Sequence, residues 1–153
     1  MSSLELKIPP LAQVAVFAGL MWLAARAVPA LAFGFPGQLA AALLLAGAGA
    51  LVAAAGVLAF RRAHTTVDPR DPAKSTELVA TGIYRASRNP MYLGFLLALA
   101  GWGIFLGNVL ALAALPLFVA AMNRLQIAPE ERALRARFGE SFTRYERSVR
   151  RWL

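Results

Sequence analysis

The polar and apolar positions of this chain are segregated into blocks. Asp, Glu, Lys and Arg are absent between Val28 and Phe60 and again between Asn89 and Asn123. A helix that crosses a bilayer takes about 20 mostly apolar residues, so both blocks read as membrane-spanning. The first block, with the apolar residues before it, divides at "GFPG" (34–37) into two spans of about 10–33 and 38–60. The second is too long for one span and only just long enough for two, and "FLGN" (105–108) supplies Gly and Asn at its middle. It predicts a tight hairpin of short arms, about 90–106 and 108–125, the second kinked by Pro116. Ala42, Ala46, Ala50 and Ala54 recur every fourth residue, which predicts a small-residue face on the second span where another helix packs closely.

Beyond Pro129 the pattern changes. Leu134, Phe138, Phe142, Tyr145, Val149 and Trp152 are spaced by three or four, while Arg132, Arg135, Arg144, Arg147 and Arg151 point elsewhere. This spacing predicts an amphipathic helix, divided at Gly139, that lies at the membrane surface with its aromatic stripe toward the bilayer and roofs the ends of the spans. The expected architecture is all-α and integral to the membrane. It has four transmembrane helices, the third and fourth a tight hairpin, plus a C-terminal amphipathic cytoplasmic helical segment, all in a single domain over 1–153.

Charge sets the expected orientation. Segment 61–88 carries six basic and three acidic residues and 124–151 carries eight and four, whereas the loops at 34–37 and 105–108 carry none. The positive-inside rule then places both charged segments, and both termini, in the cytoplasm. Arg26 is close enough to the far interface to snorkel there as an anchor. Glu5 precedes Lys7 and a basic leader region is missing, so the first apolar stretch is expected to be a span and not a signal peptide. The net charge of +8 comes without a nucleic-acid motif and fits attraction to anionic lipid headgroups. With no cysteine and one histidine, thiolate, disulfide and histidine-rich metal sites are not expected. Nor does a glycine-rich turn follow a strand, as a Rossmann-type nucleotide site requires.

Any chemistry is therefore expected where the charged segments meet the spans. "TGIYRASRNPMYLG" (81–94) stands at the first such place and "PEERALRARFGESFTRYERSVRRWL" (129–153) at the second. The planar fork of Arg88 suits a carboxylate, or it anchors the third span in headgroups, a task Arg85 already serves. Asn89 can fix a polar edge by donating and accepting, or cap the helix that Pro90 opens at its first position. Tyr92 can stack on or hydrogen-bond to a ligand, or sit at the interface as tyrosines do. Gly94 allows close approach, either of a ligand or of a helix. Glu130 and Glu131 are acids in a helical first turn, favoured there by the dipole alone. Neighbours on a helix point about 100° apart, so one of the two is expected to face a pocket. His64, in "RRAHTTVDP", is a loop histidine able to act as a base or to do nothing.

In order and spacing these segments resemble the isoprenylcysteine carboxyl methyltransferase family and the related phospholipid methyltransferases. The family pattern has Gly-x-Tyr (here Gly82 and Tyr84), then Arg-His-Pro-x-Tyr-x-Gly (Arg88, Asn89, Pro90, Tyr92 and Gly94), a hairpin, and a Glu-Glu pair (Glu130 and Glu131). The likeness runs from His64 to the C terminus, with Asn89 standing where eukaryotic members have His. The resemblance implies S-adenosylmethionine-dependent methyl transfer at the membrane surface. It implies a cofactor pocket closed by the C-terminal segment and a lipophilic acceptor, bearing a carboxylate, amine or thiol, that enters laterally between helices. It assigns Arg88 and Glu130 to catalysis, and Tyr84, Arg88, Asn89, Pro90, Tyr92, Gly94, Glu130, Glu131 and His64 to the cofactor. The partners implied are that acceptor and membrane lipids, with no metal and no nucleic acid. A second reading is an NADPH-dependent membrane reductase, since sterol reductases share a similar helical core. A third is a non-catalytic membrane scaffold.

Overall fold

The computed structural model describes residues 6–63 and 78–153. Prolines set both ends of its first helix. Pro10 opens α1 (Pro10–Ala27) where a missing N–H is harmless, and Pro29 denies the next turn its donor. α1 therefore stops short of the expected 10–33, and Pro29–Leu31 form a 3-10 turn. Near its end Arg26 lies over the Trp22 ring, 5.9 Å from the centroid. α2 (Gln38–Arg62) follows Gly37, which is left-handed at φ +82°. A 3-10 turn at Gly82–Arg85 leads to α3 (Pro90–Leu106), then α4 (Val109–Leu112), α5 (Ala114–Met122) and a π turn at Asn123–Ile127. α6 (Ala128–Phe138) and α7 (Glu140–Ser148) complete an all-helical order without strands among the described residues.

The hairpin forms where its residues predict. Gly107 turns the chain at φ +60°, and Asn108 caps the next helix by accepting from the amides of Leu110 (2.9 Å) and Ala111 (3.4 Å). The same end of the bundle is stitched by three more bonds. Asn108 Nδ2 donates to the Val28 carbonyl (2.9 Å), Gln38 Nε2 to the Ile104 carbonyl (2.7 Å), and the Phe33 amide to the Gly107 carbonyl (2.7 Å). Pro116 leaves the Leu112 carbonyl without its ordinary donor, and the helix breaks at Ala113. Beyond the break there is no loop: Val109–Phe138 runs on as one helical path. The expected boundary at 125/126, between a span and a separate surface helix, is therefore absent. The π turn carries the chain across Pro129 instead, and the Leu125 carbonyl, whose usual partner would be the proline nitrogen, accepts from the Leu6 amide at 3.1 Å.

The small-residue face exists in a different register. A Cβ built on Gly49 would lie 2.5 Å from the Gly94 carbonyl oxygen, and one on Gly101 would lie 2.7 Å from that of Ala42. Ala42, Ala46, Gly49, Ala53 and Gly56 line this seam with α3, while Ala50 and Ala54 are exposed. Steps of four and three average 3.5 and keep facing a partner, whereas a strict every-fourth row drifts around the helix.

α3 packs on α2 along that seam and on α1, α4 and α5 around Met21, Leu99, Ala111, Phe118 and Met122. The outer faces remain apolar and open, with Leu44 74% and Leu51 73% exposed among many such residues. In water each such leucine would forgo about 1.5–3 kcal/mol of burial, and a handful would exceed the 5–15 kcal/mol that holds a domain folded. α1, α2 and the Val109–Phe138 path are each long and apolar enough to cross a membrane. α3 is apolar but shorter, 17 residues or about 26 Å. The fold is that of a membrane protein.

The C-terminal aromatic stripe departs from expectation. Leu134, Phe138, Phe142, Tyr145 and Val149 pack inward on Ala59, Phe60, Val79, Ile83 and Tyr84. The end of α2 and the segment after Leu78 offer the apolar surface that the bilayer was expected to supply. Gly139 does divide the segment, at φ +54°. α7 then ends at Ser148, Val149 turns extended (φ −129°, ψ 132°), and residues 149–153 form a non-helical strap.

Candidate functional site

The site lies at the end of the bundle that carries the arginines, where the start of α3 meets α6, α7 and the strap. Gly82, left-handed at φ +60°, opens the 3-10 turn that buries Tyr84. The Tyr145 hydroxyl donates to the Tyr84 carbonyl at 2.7 Å. Burial pushes the Tyr84 phenol well above its ordinary range, and the neighbouring Tyr145 and Glu130 charges push the same way. Burial also raises Tyr145, against an opposing pull from Arg88. Both phenols are therefore neutral donors over the physiological range.

Arg88 is buried, its side chain only 11% exposed. One terminal nitrogen donates to Glu131 at 2.9 Å and the other lies 3.5 Å from Glu146, while Nε is buried without a partner. These contacts rule out the headgroup-anchor reading, a role left to exposed Arg85. Glu131 also receives a two-pronged pair from Arg151, at 3.1 and 2.5 Å, which raises the Arg151 pKa. Arg135 completes the network on Glu146 at 2.7 Å. Glu130 accepts a short hydrogen bond from the Tyr92 hydroxyl, its one hydrogen-bond partner among the described residues. Both glutamates therefore turn inward, contrary to the expectation of one. The first turn of α6 runs between two sets of partners, so side chains about 100° apart each meet one.

Asn89 precedes Pro90 but its side chain makes no cap. Nδ2 donates instead to the Arg151 carbonyl at 2.9 Å. Pro90 is the buried first residue of α3, and Gly94 meets the backbone of Gly49 in the α2 seam, so helix packing alone accounts for its lack of a side chain. His64 lies outside the described residues. The structure thus brings Tyr84, Arg88, Asn89, Tyr92, Glu130 and Glu131 to one place.

It adds residues that sequence reasoning passed over. Ser87 Oγ is 3.4 Å from the Arg151 carbonyl and accepts from the Asn89 amide at 3.1 Å. Arg88 N–H donates to the Arg150 carbonyl at 3.0 Å, and the Trp152 indole to Asn123 Oδ1 at 3.0 Å. Arg151 and Trp152 fit the helical spacing of the residues before them, and nothing local marks where that helix stops.

Comparison with known proteins agrees with this geometry. The phospholipid methyltransferase family profile matches residues 37–141, which include α2, the hairpin, Arg88, Tyr92, Glu130 and Glu131. An uncharacterized protein of Haemophilus influenzae (strain ATCC 51907 / DSM 11121 / KW20 / Rd) is 46% identical over 63 residues, 41% of this chain and 100% of that protein. No solved structure gives a significant match. With more than half of its 153 residues matched, and the inward-facing arginine, tyrosine and glutamates among them, the chain belongs to the phospholipid methyltransferase family.

Proposed function

We propose that this protein is a four-span membrane methyltransferase that takes its methyl group from S-adenosylmethionine. The acceptor is a carboxylate, amine or thiol of a lipophilic molecule at the cytoplasmic interface. The observation that carries this reading is the meeting of two distant segments. Arg88 reaches Glu131, 43 residues on, and Tyr92 reaches Glu130, 38 residues on, in a chain of methyltransferase lineage.

The residues suit such a cofactor, which carries an ammonium, a carboxylate and ribose hydroxyls. Arg88 Nε is a buried donor still without an acceptor. Glu130 is a carboxylate with a single neutral partner, able to accept from an ammonium or from hydroxyls. When bound, S-adenosylmethionine supplies a methyl group on a good sulfonium leaving group. The protein's task is then to hold the acceptor in line and keep water out. Arg88 orients by its planar fork and Tyr92 fixes the Glu130 carboxylate. The packed ring cluster of Tyr84, Phe142 and Tyr145 excludes solvent beside them.

Both termini are cytoplasmic in this reading. It is supported by the arginines at the ends of α2 and α5 and throughout α6 and α7, against an opposite end with no charge in its loops. The polar cofactor and the lipophilic acceptor then enter by different doors, from the cytoplasm and from the bilayer.

Incubation with methyl-labelled S-adenosylmethionine and a lipid extract tests the reading, and label is expected in the lipid fraction. A thermal-shift comparison in detergent runs beside it. Stabilisation by S-adenosylhomocysteine is expected, whereas stabilisation by NADPH alone would transfer the assignment to a reductase.

A further inference from the structure

The five residues after α7 make more specific contacts than a chain end requires. Their backbone carbonyls take up the donors of one short segment: Arg150 C=O accepts from the Arg88 amide at 3.0 Å, and Arg151 C=O from Asn89 Nδ2 at 2.9 Å, with Ser87 Oγ at 3.4 Å. The Arg151 side chain turns the other way and grips both oxygens of Glu131. Trp152 sinks its ring against the core cluster of Met21, Tyr92 and Met122, and its indole N–H holds Asn123. Arg151 is thus the one residue that bonds both the α3 side of the site, through its carbonyl, and the α6 side, through its guanidinium.

We propose that the strap 149–153 is a positioning element of the site, with Arg151 as the positioning residue that sets Glu131 and Asn89 against each other. The proposal rests on the methyltransferase reading and refines it. Asn89 serves the strap and not the cofactor, and the same holds for Ser87. Glu131 is held between two arginines as the strut that orients Arg88, which leaves Glu130 as the carboxylate that meets the ligand. A fork on a carboxylate is a rigid two-point contact, while a lysine in its place offers only a point charge. The role of Arg151 is therefore geometric and not merely electrostatic.

The absence of cysteine makes the strap directly observable. Leu153 is 70% exposed, so Leu153→Cys carries a spin label without disturbing a contact. On the full-length protein in lipid nanodiscs the label should be immobilised. Asn89→Ala and Arg151→Ala should each mobilise it, while the thermal unfolding midpoint shifts by only a few degrees. In the same variants S-adenosylhomocysteine affinity should fall about tenfold, and Arg151→Lys should recover only part of that loss.

Mobilised spectra with unchanged affinity would overturn the proposal and leave the strap a simple clasp. Unchanged spectra in both variants would overturn it too, because the bonds would then not hold the strap. Failure of the unsubstituted protein to bind S-adenosylhomocysteine is a different result. It removes the methyltransferase reading, and with it the positioning role, whatever the spectra show.

Discussion

Arg88 and Arg85 stand three residues apart and show how much a side chain's surroundings matter. Arg88 is enclosed between Glu131 and Glu146, whereas Arg85 is exposed. Arg88→Ala and Glu130→Ala should each weaken S-adenosylhomocysteine binding more than tenfold by calorimetry, and Arg85→Ala less than twofold. A charge-assisted hydrogen bond is worth roughly 1.5–3 kcal/mol, which is that factor or more. Arg88→Ala does not orphan Glu131, which keeps Arg151, so the variant should still fold. Glycines divide in the same way. Gly49 meets the α3 backbone at once, and Gly47, two residues earlier, has nothing within 4 Å. Gly49→Val should lower stability in detergent by about 1–3 kcal/mol, the usual scale of overpacking, and Gly47→Val should leave the melting curve nearly unchanged.

Among the elements, those announced by special residues were legible and those set by tertiary contact were not. Gly107 and Asn108 mark the hairpin, Pro116 the break at Ala113, and Gly139 the division of α6 from α7, because each imposes a backbone state on its own. The end of α7 has no such mark. Helical spacing runs on through Val149 and Trp152, and only the donors of Ser87, Arg88 and Asn89 draw the chain out of the helix at Ser148. For the same reason Arg88, Tyr92 and the glutamates were legible as a set through family resemblance, and Arg151 was not. The π turn at Asn123–Ile127 was also invisible in sequence, yet it aims the first turn of α6. A π turn holds one residue more than an α-helix needs, so deleting exposed Arg124 should restore regular helix and rotate Glu130 and Glu131 by about 100°. Loss of S-adenosylhomocysteine binding, with the protein still inserted and monodisperse by size exclusion, is the expected result.

For the whole molecule the cysteine-free sequence gives a clean test of orientation. Single cysteines at Gly34 and Val109 should react with an impermeant maleimide from outside intact cells, and one at exposed Glu140 only after the cytoplasm is opened. Reaction of positions 109 and 140 from the same side would remove the four-span arrangement. The two ends of the bundle are also fastened by different physics. At one end Val28, Phe33, Gln38, Ile104, Gly107 and Asn108 are joined by neutral hydrogen bonds alone. At the other, Arg88, Glu131, Glu146, Arg135 and Arg151 form a ladder of opposite charges, with Arg135 half exposed. Dissolved salt screens exposed charge pairs over about 8 Å at physiological ionic strength and over about 3 Å at 1 M, and it barely touches neutral bonds. Ionic strength therefore acts on this protein as a one-ended lever: it loosens the arginine end from its exposed rung inward, while the opposite end holds as the fixed pivot.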